Sequence, residues 1–176
     1  MVVVNGVDVD ALREALRVVE EQSRDAGKRR LMNVRRARAF WSGGLRSGVR
    51  AGAGRFEVDE GIGPERGSTP TSVEYVLGAL GACVVVGFVF LATLRGVNIH
   101  DLEVALEGEI DNMNVFLALS DEGHSGFRRI SLTAYVRADA DEDTVKHLFD
   151  EALRRSPIVN TLAHSVEVVP SVRVFS

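Results

Sequence analysis

The chain has 176 residues, 45% of them hydrophobic and 26% charged, with one cysteine and a formal net charge of −4. That length accommodates one domain with its own core, and the composition excludes a chain disordered along most of its length. One cysteine excludes an intrachain disulfide and suits a reducing compartment, while the opening "MVVVNGVDVD" is too short an apolar run for a secretion signal and has no basic n-region, so the cytoplasm is the expected location.

Taken in chain order, residues 8–26 have Leu12, Leu16 and Val19 on one stripe, Asp8 or Asp10 at the start and Gly27 as a stop, which predicts a surface helix attached to the main fold. Residues 31–41 and 49–59 predict two strands joined across the glycine cluster "SGGLRSG" as a hairpin. Charge is uneven here: residues 28–66 carry ten basic and four acidic side chains, whereas residues 67–176 carry eight basic and fifteen acidic. The band "KRRLMNVRRARAF" lacks zinc-finger or aromatic-stacking features, so it reads as a solvated strand with basic side chains, and nucleic acid is not an expected partner. "GIGPERGSTP" predicts a surface loop.

From Tyr75 to Leu94 twenty consecutive positions carry no charge. By length this stretch could cross a bilayer. Gly78, Gly81 and Gly87 dilute its apolarity and its flanks are of mixed charge, which favours a core helix buried on all sides. Gly78, Ala79, Gly81 and Ala82 then permit close backbone approach, and a homodimer that sandwiches the helix would cover the faces one small domain leaves bare. Thr71 and Glu74 form a capping-box pair after Pro70. Cys83, the only cysteine, follows Glu74 by nine positions, about two and a half turns, so the two are not expected to touch. The thiol is either a small packed hydrophobe or a nucleophile, and the second needs a positive neighbour or hydrogen-bond donors.

Beyond the helix, residues 99–110 alternate apolar and charged side chains as a half-exposed strand does. Residues 111–127 predict a mixed loop, 130–138 a strand, 141–155 a helix, 160–164 a turn of helix and 166–175 a last strand. Strands with two internal helices predict an α+β layer architecture. His100, His124, His147 and His164 have no metal spacing, and "GVRAGAGRF" lacks the strand-turn-helix setting of a dinucleotide fingerprint, so neither metal nor cofactor is expected. Met113, Phe116 and Leu117 are candidates to line an apolar pocket for an organic substrate, with core or dimer packing as the alternative.

"TPTSVEYVLGALGAC", Thr69 to Cys83, resembles the helix opening of the OsmC/Ohr superfamily of osmotically inducible and organic hydroperoxide resistance proteins. "RGVNIHDLEVALEGEID" and "GFRRISLTAYVRADADEDTVKHLFDEALRRSPIVNTL" follow the family's order of strand, strand, helix and a "CPV…TL"-like turn. The likeness spans about residues 33–174 and divides the chain into an N-terminal helical extension, 1–30, and an OsmC-like domain, 31–176. It implies a two-layer α+β fold, an intertwined homodimer with central helices packed between sheets, active sites at the subunit interface, and no membrane span. It further implies that Cys83 attacks a peroxide O–O bond, that an arginine supports the thiolate, and that Glu74 orients that arginine. Arg46, in "GGLRSG", matches the family's arginine turn, with Arg38 as the alternative. Ser156 stands where the resolving cysteine would be; the internal disulfide step is therefore impossible, and an external thiol, or Cys83 of a second subunit, must complete a cycle. The bland reading of Ser156 is a helix-end hydroxyl before Pro157. The expected function is thiol-dependent reduction of organic hydroperoxides in oxidative stress defence; the alternative is an OsmC-fold binding protein for a small apolar ligand or acyl chain in which Cys83 only packs.

Overall fold

The computed structural model of the chain describes residues 2–61 and 68–175. It opens with a hairpin of two-residue strands, β1 (Val3–Val4) and β2 (Val7–Asp8), closed by Asn5-Gly6 with both residues at positive φ. Such a dipeptide suits a tight hairpin turn. The single helix expected over 8–26 is two helices, α1 (Val9–Ser23) and α2 (Ala26–Asn33). The chain stops and restarts because Asp25 is an N-cap that accepts from the Lys28 backbone N–H, so Gly27 lies inside α2 instead of ending a helix. Half of the basic band, Lys28 to Arg30, is therefore helical and not strand.

The region read as one hairpin is a three-stranded antiparallel meander of β3 (Ala37–Gly43), β4 (Arg46–Ala51) and β5 (Gly54–Asp59). The first turn is tighter than expected, Gly44-Leu45, so most of "SGGLRSG" is strand. A second reversal at Gly52, φ +58, divides the stretch taken as one strand; glycine adopts that backbone without steric cost. Registers Ala39↔Val49↔Phe56 and Trp41↔Ser47↔Val58 put an apolar set on one face, yet Trp41 is 78% exposed. Of the loop expected over 61–70, residues 62–67 lie outside the described residues.

Helix α3 (Ser72–Leu94) begins as the sequence predicts. Thr71 is the N-cap, and the Glu74 carboxylate accepts from Thr71 N at 2.7 Å and from Thr71 Oγ1 at 2.8 Å. The helix is long and apolar enough to cross a membrane by length and composition, but its inner face packs on β6 (Ile99–Ile110) and on α5 (Glu142–Arg155). Phe88, Leu91 and Ala92 form the core with Leu148 and Ala152 of α5. Among the small residues of α3, Gly81 makes the close approach to the sheet: a Cβ there would come 2.7 Å from Leu106 Cδ1. Gly78, Ala79 and Ala82 instead lie on an exposed stripe that continues to Val86 and Phe90. Phe88 is fully buried; Phe88→Ala is expected to cost about 3–5 kcal/mol, roughly 10 °C in Tm, as read by thermal melting.

Strand β6 pairs antiparallel with β7 (Phe127–Ala138), with Leu102↔Val136 and Leu106↔Leu132 toward α3 and Glu103↔Tyr135 toward solvent. The intervening loop contains a short helix, α4 (Met113–Phe116), capped by the Asn112 side chain. Helix α6 (Pro157–Ala163) begins earlier than the expected turn. The strand expected over 166–175 does not form: these residues run extended and exposed, with Val168 at 84% and Val174 at 88%. A strand exists only by bonding to an edge, and among the described residues no edge of the chain receives this segment.

Candidate active site

Cys83 sits at the middle of α3, partly exposed, on the wall of a pocket of about 680 Å³ between α3, α1 and the α5–α6 junction. Leu16, Val86, Phe90 and Leu94 form its apolar side, and Arg95, Glu151, Arg155 and Ser156 its polar end. The junction exists because Pro157 disfavours helical geometry in the residue before it: Ser156 is extended, at φ −67 and ψ 121, ends α5 and caps α6. Its side chain accepts from Val159 N at 3.2 Å and donates to Cys83 Sγ at 3.2 Å. The helix-end role read from sequence is thus present, together with a contact to the thiol that the sequence did not reveal.

Behind the pocket, the nearly buried Glu151 holds two guanidiniums. Its Oε1 accepts from Arg155 Nε at 2.7 Å and its other oxygen accepts from Arg95. The Arg95 bond first, and the Arg155 bond as well, hold the Glu151 carboxyl below the ordinary glutamate range against an opposing contribution from burial. A carboxylate lowered by folding adds stability in full above its unfolded value, near 4.3, and that contribution disappears as pH falls through the lower folded value. Thermal melting from pH 7 down to pH 3 is expected to show Tm falling below about pH 4.3, with a flatter acid limb in Glu151→Gln. The i,i+4 spacing of Glu151 and Arg155 was legible in the sequence; Arg95, fifty-six positions away in the chain, was not.

The N-terminal segment also reaches this site. The Asn5 side chain donates to Thr93 Oγ1 at 3.1 Å and to the Val97 carbonyl at 3.0 Å, and accepts from Ile99 N at 2.7 Å. This clamp fastens the first hairpin to the C-terminal end of α3 and sends α1 past the pocket, where Leu16 meets it. The Asn-Gly turn was the available sequence signal.

The other expected site residues lie elsewhere in the chain. Glu74 is about 13 Å from Cys83 along the helix axis at 1.5 Å per residue. Arg46 pairs in register with Asp59 and lines a separate pocket with Trp41, Tyr75 and Phe116. Phe116 and Met113, in α4, are exposed, and Leu117 caps that helix. Arg38 is on β3 opposite Arg50. One chain thus brings Cys83 together with Ser156, while Arg46 and Phe116 share a second hollow.

A sequence model of the OsmC-like protein family matches residues 65–171. The chain belongs to the OsmC-like family. Among solved structures, an OsmC-like protein from Mycoplasma pneumoniae superposes with a TM-score of 0.64 at 18% identity, covering 74% of this chain and 88% of that one. An OsmC-like protein of unknown function from Vibrio cholerae gives 0.61 at 12% identity, over 74% and 94%. An organic hydroperoxide resistance protein OsmC from Legionella pneumophila gives 0.55 at 16%, over 74% and 90%. At these identities the likeness is one of fold. No curated protein matches the sequence. OsmC-like membership makes α3 the central helix of a soluble α+β fold and not a membrane span. The family match begins at residue 65, so α1 and its Leu16 are contributed to the pocket from outside the matched segment.

Proposed function

We propose that this OsmC-like protein is a one-cysteine hydroperoxide reductase that acts as a cytoplasmic homodimer in oxidative stress defence. The observation that carries the reading is the position of Cys83: the sole thiol lies on the wall of an apolar pocket with a hydroxyl donor on its sulfur. In the reaction, the Cys83 thiolate attacks one oxygen of an organic hydroperoxide. An S–O bond forms, the O–O bond breaks, and the leaving alkoxide takes a proton to become the alcohol. Sulfur is oxidised to sulfenic acid and the peroxide is reduced. An external thiol then condenses with the sulfenic acid, releasing water and leaving a mixed disulfide, which a second thiol cleaves to restore Cys83.

Arg46 steadies the thiolate in this reading and Glu74 orients Arg46, with Met113, Phe116 and Leu117 on the substrate side. These roles require a second copy of the chain. The meander leaves Trp41 bare at the end of its apolar face, α3 carries an uncovered stripe from Ala79 to Phe90, and among the described residues the C-terminal segment has no edge to pair with. Exchange of these elements between two copies covers all three, and it joins the Arg46 hollow to Cys83. The test is reaction of the reduced protein with cumene hydroperoxide: a dimedone-type trap is expected to label Cys83, and a dithiol to sustain turnover. A thiol that stays unlabelled and inert at neutral pH would end the proposal.

A further inference from the structure

We infer that Ser156 is a positioning residue for Cys83, its buried hydroxyl fixing and stabilising the sulfur as an anion. The inference rests on the reading of Cys83 as a reactive thiolate, and it concerns a position from which the cysteine of the family pattern is missing.

Ser156 is 4% exposed, and every polar atom it has is committed. Its N–H donates to the Leu153 carbonyl, and its own carbonyl accepts from Asn160 N and from Asn160 Nδ2 at 2.8 Å. Its hydroxyl oxygen accepts from Val159 N. One proton remains, and it is directed at Cys83 Sγ, 3.2 Å away. A hydroxyl that already accepts from a backbone N–H is polarised toward donation, and donation to an ionised sulfur is stronger than to a neutral one. The bond therefore favours the thiolate over the thiol.

The distance depends on how α5 lies against α3, and the fold fixes that independently. Glu151, one turn before the junction, ties Arg95 at the end of α3 to Arg155 at the end of α5, while Ala152 packs in the core with Phe88. Asn160 fastens the junction from the other side, donating to the Arg154 and Ser156 carbonyls. The hydroxyl is thus held where it is by contacts that do not involve the sulfur.

The experiment is the rate of iodoacetamide alkylation against pH, read by intact mass; with one cysteine in the chain the signal belongs to Cys83. Ser156→Gly removes the hydroxyl at an N-cap position glycine tolerates, and Ser156→Ala removes it without added backbone freedom. Both are expected to slow alkylation at pH 7 by about tenfold, with rates converging at high pH. Thr161→Ala, which removes a different hydroxyl of α6, bonded to the Pro157 carbonyl, is expected to leave the profile in place. Profiles of both serine variants superimposing on wild type would overturn the inference, and so would a Thr161→Ala effect as large as theirs. The assay contains no hydroperoxide: a Ser156-dependent profile in a protein that does not turn over peroxides would remove the peroxidase reading alone.

Discussion

Cys83→Ala is expected to lose dithiol-dependent hydroperoxide reduction, falling below about a thousandth of the wild-type rate, since the chain has no other thiol to form a sulfenic acid that a dithiol can reduce. The measurement is alcohol production from cumene hydroperoxide with a dithiol in excess, alongside thermal melting. Only modest destabilisation, about 1 kcal/mol, is expected, because Cys83 is partly exposed and lies outside the core cluster of Phe88, Leu91, Ala92, Leu148 and Ala152. Lost activity with retained folding separates the nucleophile from a packing residue. If Cys83→Ala instead keeps its activity, the chemistry does not pass through this sulfur. If wild type shows no turnover and the purified protein carries a bound apolar ligand, the ligand-binding alternative takes its place, for which the apolar wall of Leu16, Val86, Phe90 and Leu94 is suited.

Trp41→Glu is expected to convert a dimer into a monomer. Trp41 is 78% exposed in a single chain, on the same meander face as Val49, Phe56 and Val58. Val58 on that face is buried and Phe56 packs on Tyr75 with ring centroids 4.7 Å apart, so Trp41 is the part of the face left bare. An exposed tryptophan beside an apolar face is a docking surface, and one protomer of the proposed dimer covers it for the other. A carboxylate placed there without a partner costs several kcal/mol on burial, enough to shift a dimer to its subunits at micromolar concentration. Light scattering on wild type is expected to give twice the chain mass of 19.1 kDa, and on the variant the single mass. Peroxide turnover should fall with assembly, because Arg46 and Phe116 line a hollow apart from Cys83 within one chain. A wild-type protein that is monomeric and active would refute both the dimer and the supporting role of Arg46.

Local structure is legible in the sequence where one element's own residues decide it. The Thr71–Glu74 capping box was legible because it closes within four residues. Strand β6 was legible because its two faces meet different solvents, apolar α3 and water, so alternation is imprinted on the chain. The glycine cluster marks the first reversal of the meander, at Gly44, but the second, at Gly52, interrupts a stretch whose composition is strand-like throughout and leaves no such signal. The break between α1 and α2 was missed because an internal N-cap, Asp25, resembles any other acidic residue on a helix surface.

Of the candidate site, the sequence by itself singles out Cys83: a lone thiol behind a Pro-containing turn, a capping glutamate and a small-residue run is a pattern written in consecutive positions, and it is the pattern that resembles the family's. It also determined that no second thiol exists to close a disulfide. The donor on the sulfur was decided by tertiary structure alone, because Ser156 lies seventy-three positions away and reaches Cys83 only once α5 has packed on α3 through Phe88 and Ala152. The Glu151 clamp and Leu16 on the pocket wall have the same origin. A hydrogen bond acts over about 3 Å, and which side chains come that close is set by how the apolar faces of whole elements pack, a quantity no short window of sequence contains.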